Sequence, residues 1–259
     1  MVILFNEKKN CCGCSACMNI CPTKAIRMSE DENGFIYPII NNHLCINCGL
    51  CLKVCSFQNV PVSGEKPIAT YAAINKNEKV LLSSSSGGVF SALSALIFER
   101  NGVVFGSAYN ENLEPEHVCL DNLTDIKKLQ SSKYAQSRIG VTYTETKRYL
   151  DNDRWVLFTG TPCQIAGLKS FLGKNYNRLI TADLVCHGVP SSEFFKGYIK
   201  YLENKFGGKV INFNFRDKSK GWSILGKVVY EKRNKLFKET IIPIESYYYN
   251  YFLKGEIYR

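Results

Sequence analysis

The side chains most able to do chemistry in this 259-residue chain are its 12 cysteines, nine of which fall within the first 55 positions. The first run reads Cys11-Cys12-Gly13-Cys14-Ser15-Ala16-Cys17-Met18-Asn19-Ile20-Cys21-Pro22. With Cys12 set aside, its spacing is C-x2-C-x2-C-x3-C-P. Cys45, Cys48, Cys51 and Cys55 repeat that spacing, with Ser56 where the first run has Pro22. Three thiolates this close together can wrap one face of a cubane while the loop N–H groups point at its sulfides. The fourth thiolate, one helical turn further on, points away and reaches another cluster. The spacing therefore predicts two [4Fe–4S] clusters with crossed ligation. Cys11, Cys14, Cys17 and Cys55 would hold one; Cys45, Cys48, Cys51 and Cys21 would hold the other.

Two other uses of dense cysteine fit less well. Paired C-x2-C units also suit tetrahedral zinc, but four ligands per zinc would leave the third cysteine of each run without a role. A disulfide scaffold suits short secreted chains, and here the spacing is too regular and too local. Reduced thiols imply a cytoplasmic location. Cys12 is surplus to the pattern and reads as a spectator. Residues 1–57 resemble the bacterial two-cluster ferredoxins, which implies an α+β ferredoxin-like module.

Composition narrows the class further. No apolar run approaches the roughly 18 residues of a transmembrane segment, and the N-terminus is too short for a secretory apolar region. The formal charge is +10, from 33 basic and 23 acidic residues. Two clusters with their thiolates, at roughly −2 each, would leave the protein about +6. That balance suits an anionic cofactor or an acidic partner. No Arg-rich or aromatic-interleaved basic run is present, which argues against nucleic acid.

The elements that must position these groups can be read along the chain. Short apolar runs on either side of Asp31-Glu32-Asn33-Gly34 predict a hairpin between the cysteine runs. Residues 58–67, QNVPVSGEKP, read as a linker. Residues 68–259 mix strands and helices and predict a mixed α/β domain. Within it, 68–74, 102–109 and 117–120 read as strands, and 141–152 as an amphipathic helix. The helix after Ser83–Gly88 would bury Val89, Leu93, Leu96 and Ile97 on one face. Trp155–Phe158 and 179–185 read as strands, each followed by a loop and a helix. Thr161 is suited to cap the first of these helices, with Pro162 at its first position. Two strand–loop–helix units in succession argue for parallel strands, whose carboxyl ends form a ligand crevice. Cys163, Cys186 and His187 would then share one rim. From Leu225 onward, an apolar run and the charged turn Glu231–Lys235 suggest a closing hairpin.

The Ser/Gly loop at 83–88 offers hydroxyls and free N–H groups at a helix start, as a phosphate site does. On its own it reads first as an N-cap in a flexible loop. Cys163 and Cys186 admit three readings: ligands of a further cluster, a Cys163 nucleophile with His187 as base, or buried structural thiols. Cys119 reads as core, and His43 and His117 as ordinary surface or edge histidines. Phe215–Trp222, FRDKSKGW, reads as a solvated turn or as an anion or partner contact.

SSSSGGVFSAL (83–93), SSKYAQS (131–137), VLFTGTPCQIAGLKSFL (156–172), DLVCHGVPS (183–191) and FRDKSKGW (215–222) resemble the coenzyme F420 hydrogenase/dehydrogenase beta-subunit family. The resemblance implies a flavin-binding domain, with Ser85, Ser86, Gly87 and Gly88 around the FAD phosphates and Lys133 as countercharge. Thr159, Gly160 and Thr161 would bring backbone close to the flavin. It implies an oxidoreductase passing electrons between a redox partner protein or subunit, the clusters, FAD and a small-molecule electron carrier such as F420. A flavin meets a physical need, because clusters move one electron while hydride carriers move two. An electron-relay subunit, or a member from a polysaccharide-assembly context, is the alternative. Similar family members carry another C-x2-C soon after the point where this sequence stops. A longer chain could therefore add ligands to Cys163 and Cys186 for a third [4Fe–4S] cluster.

Overall fold

The structure, a computed structural model, describes residues 2–59 and 67–257. Most of the predicted linker, residues 60–66, lies outside the described residues. Gln58 and Asn59 are tied to the cysteine-rich module. The Gln58 side chain donates to the Leu4 carbonyl, and the Asn59 amide to the carbonyls of Leu52, Lys53 and Cys55.

Each cysteine run folds into a loop and a short helix, α1 (Ala16–Ile20) and, later, α2 (Leu50–Lys53). Between them β1 (Ile26–Glu30) and β2 (Ile36–Ile40) form the expected antiparallel hairpin, with Ile26 opposite Ile40. Asp31 closes its turn, accepting from the N–H groups of Asn33 and Phe35. This is the Asx-turn chemistry that local side-chain hydrogen bonding favours.

In the body, α3 (Glu78–Ser83), capped by Asn77, leads through the Ser/Gly loop into α4 (Val89–Glu99). A four-stranded sheet follows, in the order β4-β3-β5-β6. Its strands are β3 (Val103–Tyr109), β4 (Pro115–Leu120), β5 (Val156–Gly160) and β6 (Leu179–Asp183). β3, β5 and β6 are parallel, and β4 is an antiparallel edge strand. The helices α5 (Thr142–Asp151) and α6 (Pro162–Leu172) connect its strands and pack on it with α4, and α7 (Ser192–Phe206) follows β6. Thr161 and Gln164 make a reciprocal capping box at the start of α6, with Pro162 at its first position. A three-stranded antiparallel sheet of β7 (Lys209–Asn214), β8 (Gly226–Lys232) and β9 (Lys235–Ile241) precedes α8 (Tyr247–Lys254).

Two expectations about local structure are corrected. Residues 68–74 form no strand. They are exposed and pair with no strand among the described residues, Ile68 and Tyr71 being almost fully open. β-branched and aromatic residues favour a strand only where a neighbour supplies packing. In α4, Val89 and Leu96 are exposed, and the buried face is Ser91, Ser94 and Ile97. The two serines are satisfied there. Ser94 donates to the Phe90 carbonyl, and Ser91 accepts from Gln130 (2.9 Å). Small side chains bring the helix close to the sheet and leave its leucine edge to other uses.

The two parts share a core. Ala16 and Val54 of the cysteine-rich module pack in one buried cluster with Phe105, Tyr143, Phe158 and Leu168 of the body. Arg138 pairs with Glu30, Gln136 accepts from the Ile36 N–H (3.0 Å), and Asn19 donates to the Gly140 carbonyl (2.9 Å). A second, aromatic core built on Phe195, Tyr198, Phe213, Phe215, Tyr248 and Tyr249 holds α7, α8 and the second sheet together.

Candidate functional site: two cysteine nests and one cavity

The cysteines of the crossed pattern gather in two places. Cys21, Cys45, Cys48 and Cys51 line one small cavity, together with Ile26 and Ile40 of the hairpin. Cys17 lies within electrostatic reach of Cys11 and Cys55. Cys51 is also within reach of Cys17, so the two groups adjoin. Ser15 and Gly49, both left-handed (φ 65° and 74°), start the two short helices, and so turn each fourth cysteine away from its own loop. All twelve cysteines are free thiols. Among the described residues, no three His, Cys, Asp or Glu side chains converge as one metal ion would need. In donor chemistry alone, four thiols per group match what a [4Fe–4S] cluster takes.

A cavity of about 980 Å³ lies at the carboxyl ends of β3, β5 and β6. That is the upper end of the range for cofactor and small-molecule sites. Every residue the sequence assigned to a cofactor lines it: Ser85, Ser86, Gly87 and Gly88 on one side, Lys133 at its floor, and Thr159, Gly160 and Thr161 on the sheet side. Cys163, Cys186 and His187 share the same wall.

The Ser/Gly loop is held from two directions. Ser85 Oγ accepts from the Ser132 N–H (2.8 Å), and Lys218 Nζ donates to the carbonyls of Ser86 (2.6 Å) and Leu81 (3.2 Å). Gly87 has to be glycine, since a methyl group there would collide with the Ala73 carbonyl oxygen. Lys218 overturns the reading of 215–222 as a solvated turn. It is buried, its ammonium sits 3.7 Å above the Trp222 ring, and desolvation lowers its pKa. Trp222, largely exposed, lines the mouth of the cavity.

Lys133 acts differently from a simple countercharge. Its three N–H bonds are spent on the carbonyls of Gln130 (2.8 Å), Lys128 (3.1 Å) and Ser131 (3.3 Å). An ammonium has only three donors, so Lys133 would favour an anion through its field, not by a direct bond. Desolvation brings its pKa down to about 7.

Two cavity residues were missed or misread. His117 lies on the edge strand β4 but is no surface histidine: it is buried and stacks on Phe158 (ring centroids 5.5 Å apart). Its Nε2 lies 3.0 Å from the Thr159 carbonyl and its Nδ1 2.8 Å from Ser137 Oγ. The carbonyl can only accept, so Nε2 carries the proton and Nδ1 accepts from the serine. Burial pushes its pKa down to about 4, so the ring is neutral at pH 7. Thr159 is thereby fixed twice, as its own hydroxyl donates to the Phe105 carbonyl (3.0 Å). The apolar–polar alternation of β4 was the available signal, since it turns His117 inward beside Pro115.

Cys12, the surplus thiol, also lines the cavity and lies in hydrogen-bond contact with Cys163. Cys163 sits 3.1 Å from Thr161 Oγ1. The Cys12 contact and burial raise the Cys163 pKa far above the ordinary thiol range. A thiol held in its protonated form is a weaker nucleophile than a thiolate. Cys119 packs at the edge of the core, and His43 is exposed.

Paired cysteine nests docked on a cofactor-sized cavity define an iron–sulfur redox protein of two parts. Residues 10–59 match the 4Fe-4S dicluster domain, and residues 153–247 match the C-terminal part of the beta subunit of coenzyme F420 hydrogenase/dehydrogenase. The two matches lie on separate segments of the chain, and together they support a redox, electron-transfer role. No curated protein matches the chain significantly. Among solved structures it is similar to a chain of the F420-reducing [NiFe] hydrogenase complex from Methanosarcina barkeri, at 17% identity and a TM-score of 0.43. That match covers 69% of this chain and 63% of the other, less than two thirds of its length. Among the described residues, no helix is long and apolar enough to cross a membrane.

Proposed function

We propose that the protein is an iron–sulfur flavoprotein oxidoreductase. Electrons pass between a one-electron partner protein, two [4Fe–4S] clusters, FAD in the large cavity and a two-electron carrier such as F420. The observation that carries this reading is the shared wall. Cys12 and Gly13, from the loop assigned to the first cluster, line the same cavity as Ser85–Gly88 and Thr159–Thr161. A cluster held by Cys11, Cys14, Cys17 and Cys55 would lie next to whatever fills that cavity.

A flavin, when bound, supplies the exchange between one-electron and two-electron chemistry. The chain's own residues do the rest. Ser85–Gly88 and the start of α4 present hydroxyls and N–H groups to an anionic group, with Lys218 bracing the loop from behind. His117 holds the Thr159 carbonyl, which leaves the Gly160 and Thr161 backbone at a fixed height on the sheet edge. Phe90, Leu93, Leu129 and Trp222 give the rest of the cavity apolar walls that exclude water from a planar ring. Cys163 and Cys186 are two thiols, so a third cluster needs two further ligands from beyond those on this rim.

Anaerobic purification with iron, sulfide and flavin analysis tests this reading. About eight iron atoms, as many sulfides and one extractable flavin per chain are expected. Zinc in place of iron would overturn the redox reading, and full clusters without flavin would reduce the protein to an electron relay.

A further inference from the structure

The two cysteine nests are not equivalent in their surroundings. The loop assigned to the first cluster faces the body, with Cys14 against α6 and Cys12 in the cavity wall. The second nest faces outward: Cys48 is exposed. Around it stand apolar side chains with no internal reason to be open. Ile46 is 64% exposed, Leu44 49% and Ile3 66%, while Leu50 contributes part of its surface. Ile46 and Leu50 themselves line the small cavity beside Cys45 and Cys48.

The charges of the module sort in a way that names what this face fits. Every acidic side chain among its described residues is in an ion pair: Glu7 with Lys9, Glu30 with Arg138, Asp31 and Glu32 with Lys8. Lys24, Arg27 and Lys53 are exposed and have no ion pair among the described residues. All three belong to the segments that build the second nest. Lys24 lies between Thr23 and Ala25, and Arg27 follows Ile26, all lining residues of that cavity; Lys53 sits two residues past Cys51. Even against the roughly −2 of one cluster with its thiolates, these three cations leave the face around the exposed apolar patch mildly positive. Apolar centre and charged rim are the anatomy of a protein interface, and rim charges mainly set the rate of encounter.

We propose that the face carrying Ile46, Leu50 and Cys48, rimmed by Lys24, Arg27 and Lys53, is the docking surface for a small acidic one-electron carrier protein. The carrier delivers its electron to, or takes it from, the second cluster. The proposal rests on the reading of the cysteine nests as clusters, and it deepens that reading by assigning the partner's chemistry and place. One electron crosses per encounter. The carrier's metal centre is oxidised as the cluster is reduced, or the reverse, and no bond is made or broken.

Stopped-flow reduction of the full-length, anaerobically purified holoprotein tests it. The probe is a dithionite-reduced, acidic [2Fe–2S] ferredoxin, freed of excess reductant. The triple charge reversal K24E/R27E/K53E is expected to slow cluster reduction about tenfold or more at low ionic strength. The difference should vanish near half-molar salt, where the Debye length is only about 4 Å. The milder K24Q/R27Q/K53Q variant should show a smaller loss of the same sign. Iron content monitors whether the variants keep their clusters. Methyl viologen radical, a small cation, should reduce all forms with no loss of rate in the variants. Equal ferredoxin rates in wild type and variants would overturn the docking surface, as would viologen reduction with no ferredoxin reduction of wild type. Clusters that accept electrons from neither reagent would overturn the underlying redox reading instead.

Discussion

Gly167 on α6 is in van der Waals contact with Cys14: a Cβ added at 167 would stand 3.0 Å from the Cys14 Sγ and 3.1 Å from the Tyr143 hydroxyl oxygen. Helix α6 begins with the cavity-lining Thr161–Cys163, so one helix touches the first cysteine run with its middle and the cavity with its start. Tyr143 cannot yield, because it is fully buried and donates to the Gln164 carbonyl (2.7 Å). G167A should therefore displace Cys14. Overpacking of this kind costs about 1–3 kcal/mol. The expected outcome is a lower Tm and loss of about half the iron, read by calorimetry and iron analysis. Full iron with an unchanged Tm would contradict the contact.

Cysteine substitutions separate ligands from bystanders. C12S should retain about eight iron atoms, while C21S should lose those of the second cluster, about four. C21S should also leave the electron paramagnetic resonance of the first cluster in place. A loss of iron in C12S equal to that in C21S would contradict the assignment of ligands.

His117 makes stability depend on pH. Its pKa is held near 4 in the folded protein against 6.5 when free. Between those values the unfolded chain binds a proton that the folded chain does not, so stability is full above pH 6.5 and falls as pH drops toward 4. The shift corresponds to about 3 kcal/mol across that window. H117F preserves the ring stack on Phe158 but leaves Ser137 and the Thr159 carbonyl without their partner, at about 1–3 kcal/mol. Urea titrations from pH 7.5 to 5 should give H117F a lower but flatter profile than wild type. Parallel slopes would contradict a neutral buried imidazole.

Lys133 links anion binding to protons. Desolvation lowers its pKa to about 7, so much of it is neutral at pH 8. An anion placed in its field draws the proton back. Calorimetric titration of the flavin-depleted protein with FAD at pH 8, in two buffers of different ionisation enthalpy, should show proton uptake, and affinity should weaken as pH rises above 7. K133M should abolish the uptake. It should also bind FAD about tenfold more weakly, because the 128–131 loop loses three hydrogen bonds. Identical heats in both buffers for wild type would remove Lys133 from the site.

What was legible in the sequence was whatever short-range spacing dictates. Three thiols within seven residues, twice over, with a fourth one helical turn on, suggest a pair of cubanes without any knowledge of the fold. The Thr161 cap with Pro162 behind it and the two strand–loop–helix units follow from local patterns, and they place Thr159–Thr161 and Cys186 at strand ends. What only the tertiary structure decided involves partners far apart along the chain. Cys12 meets Cys163, His117 meets Thr159, and Lys218 reaches back to Leu81 and Ser86. No local pattern ranks such pairs, because each exists only after the sheet has ordered its strands. The same holds for residues 68–74 and for α4. Their apolar residues announce burial, but the choice between core, cavity rim and open surface belongs to the neighbours that the rest of the chain brings in.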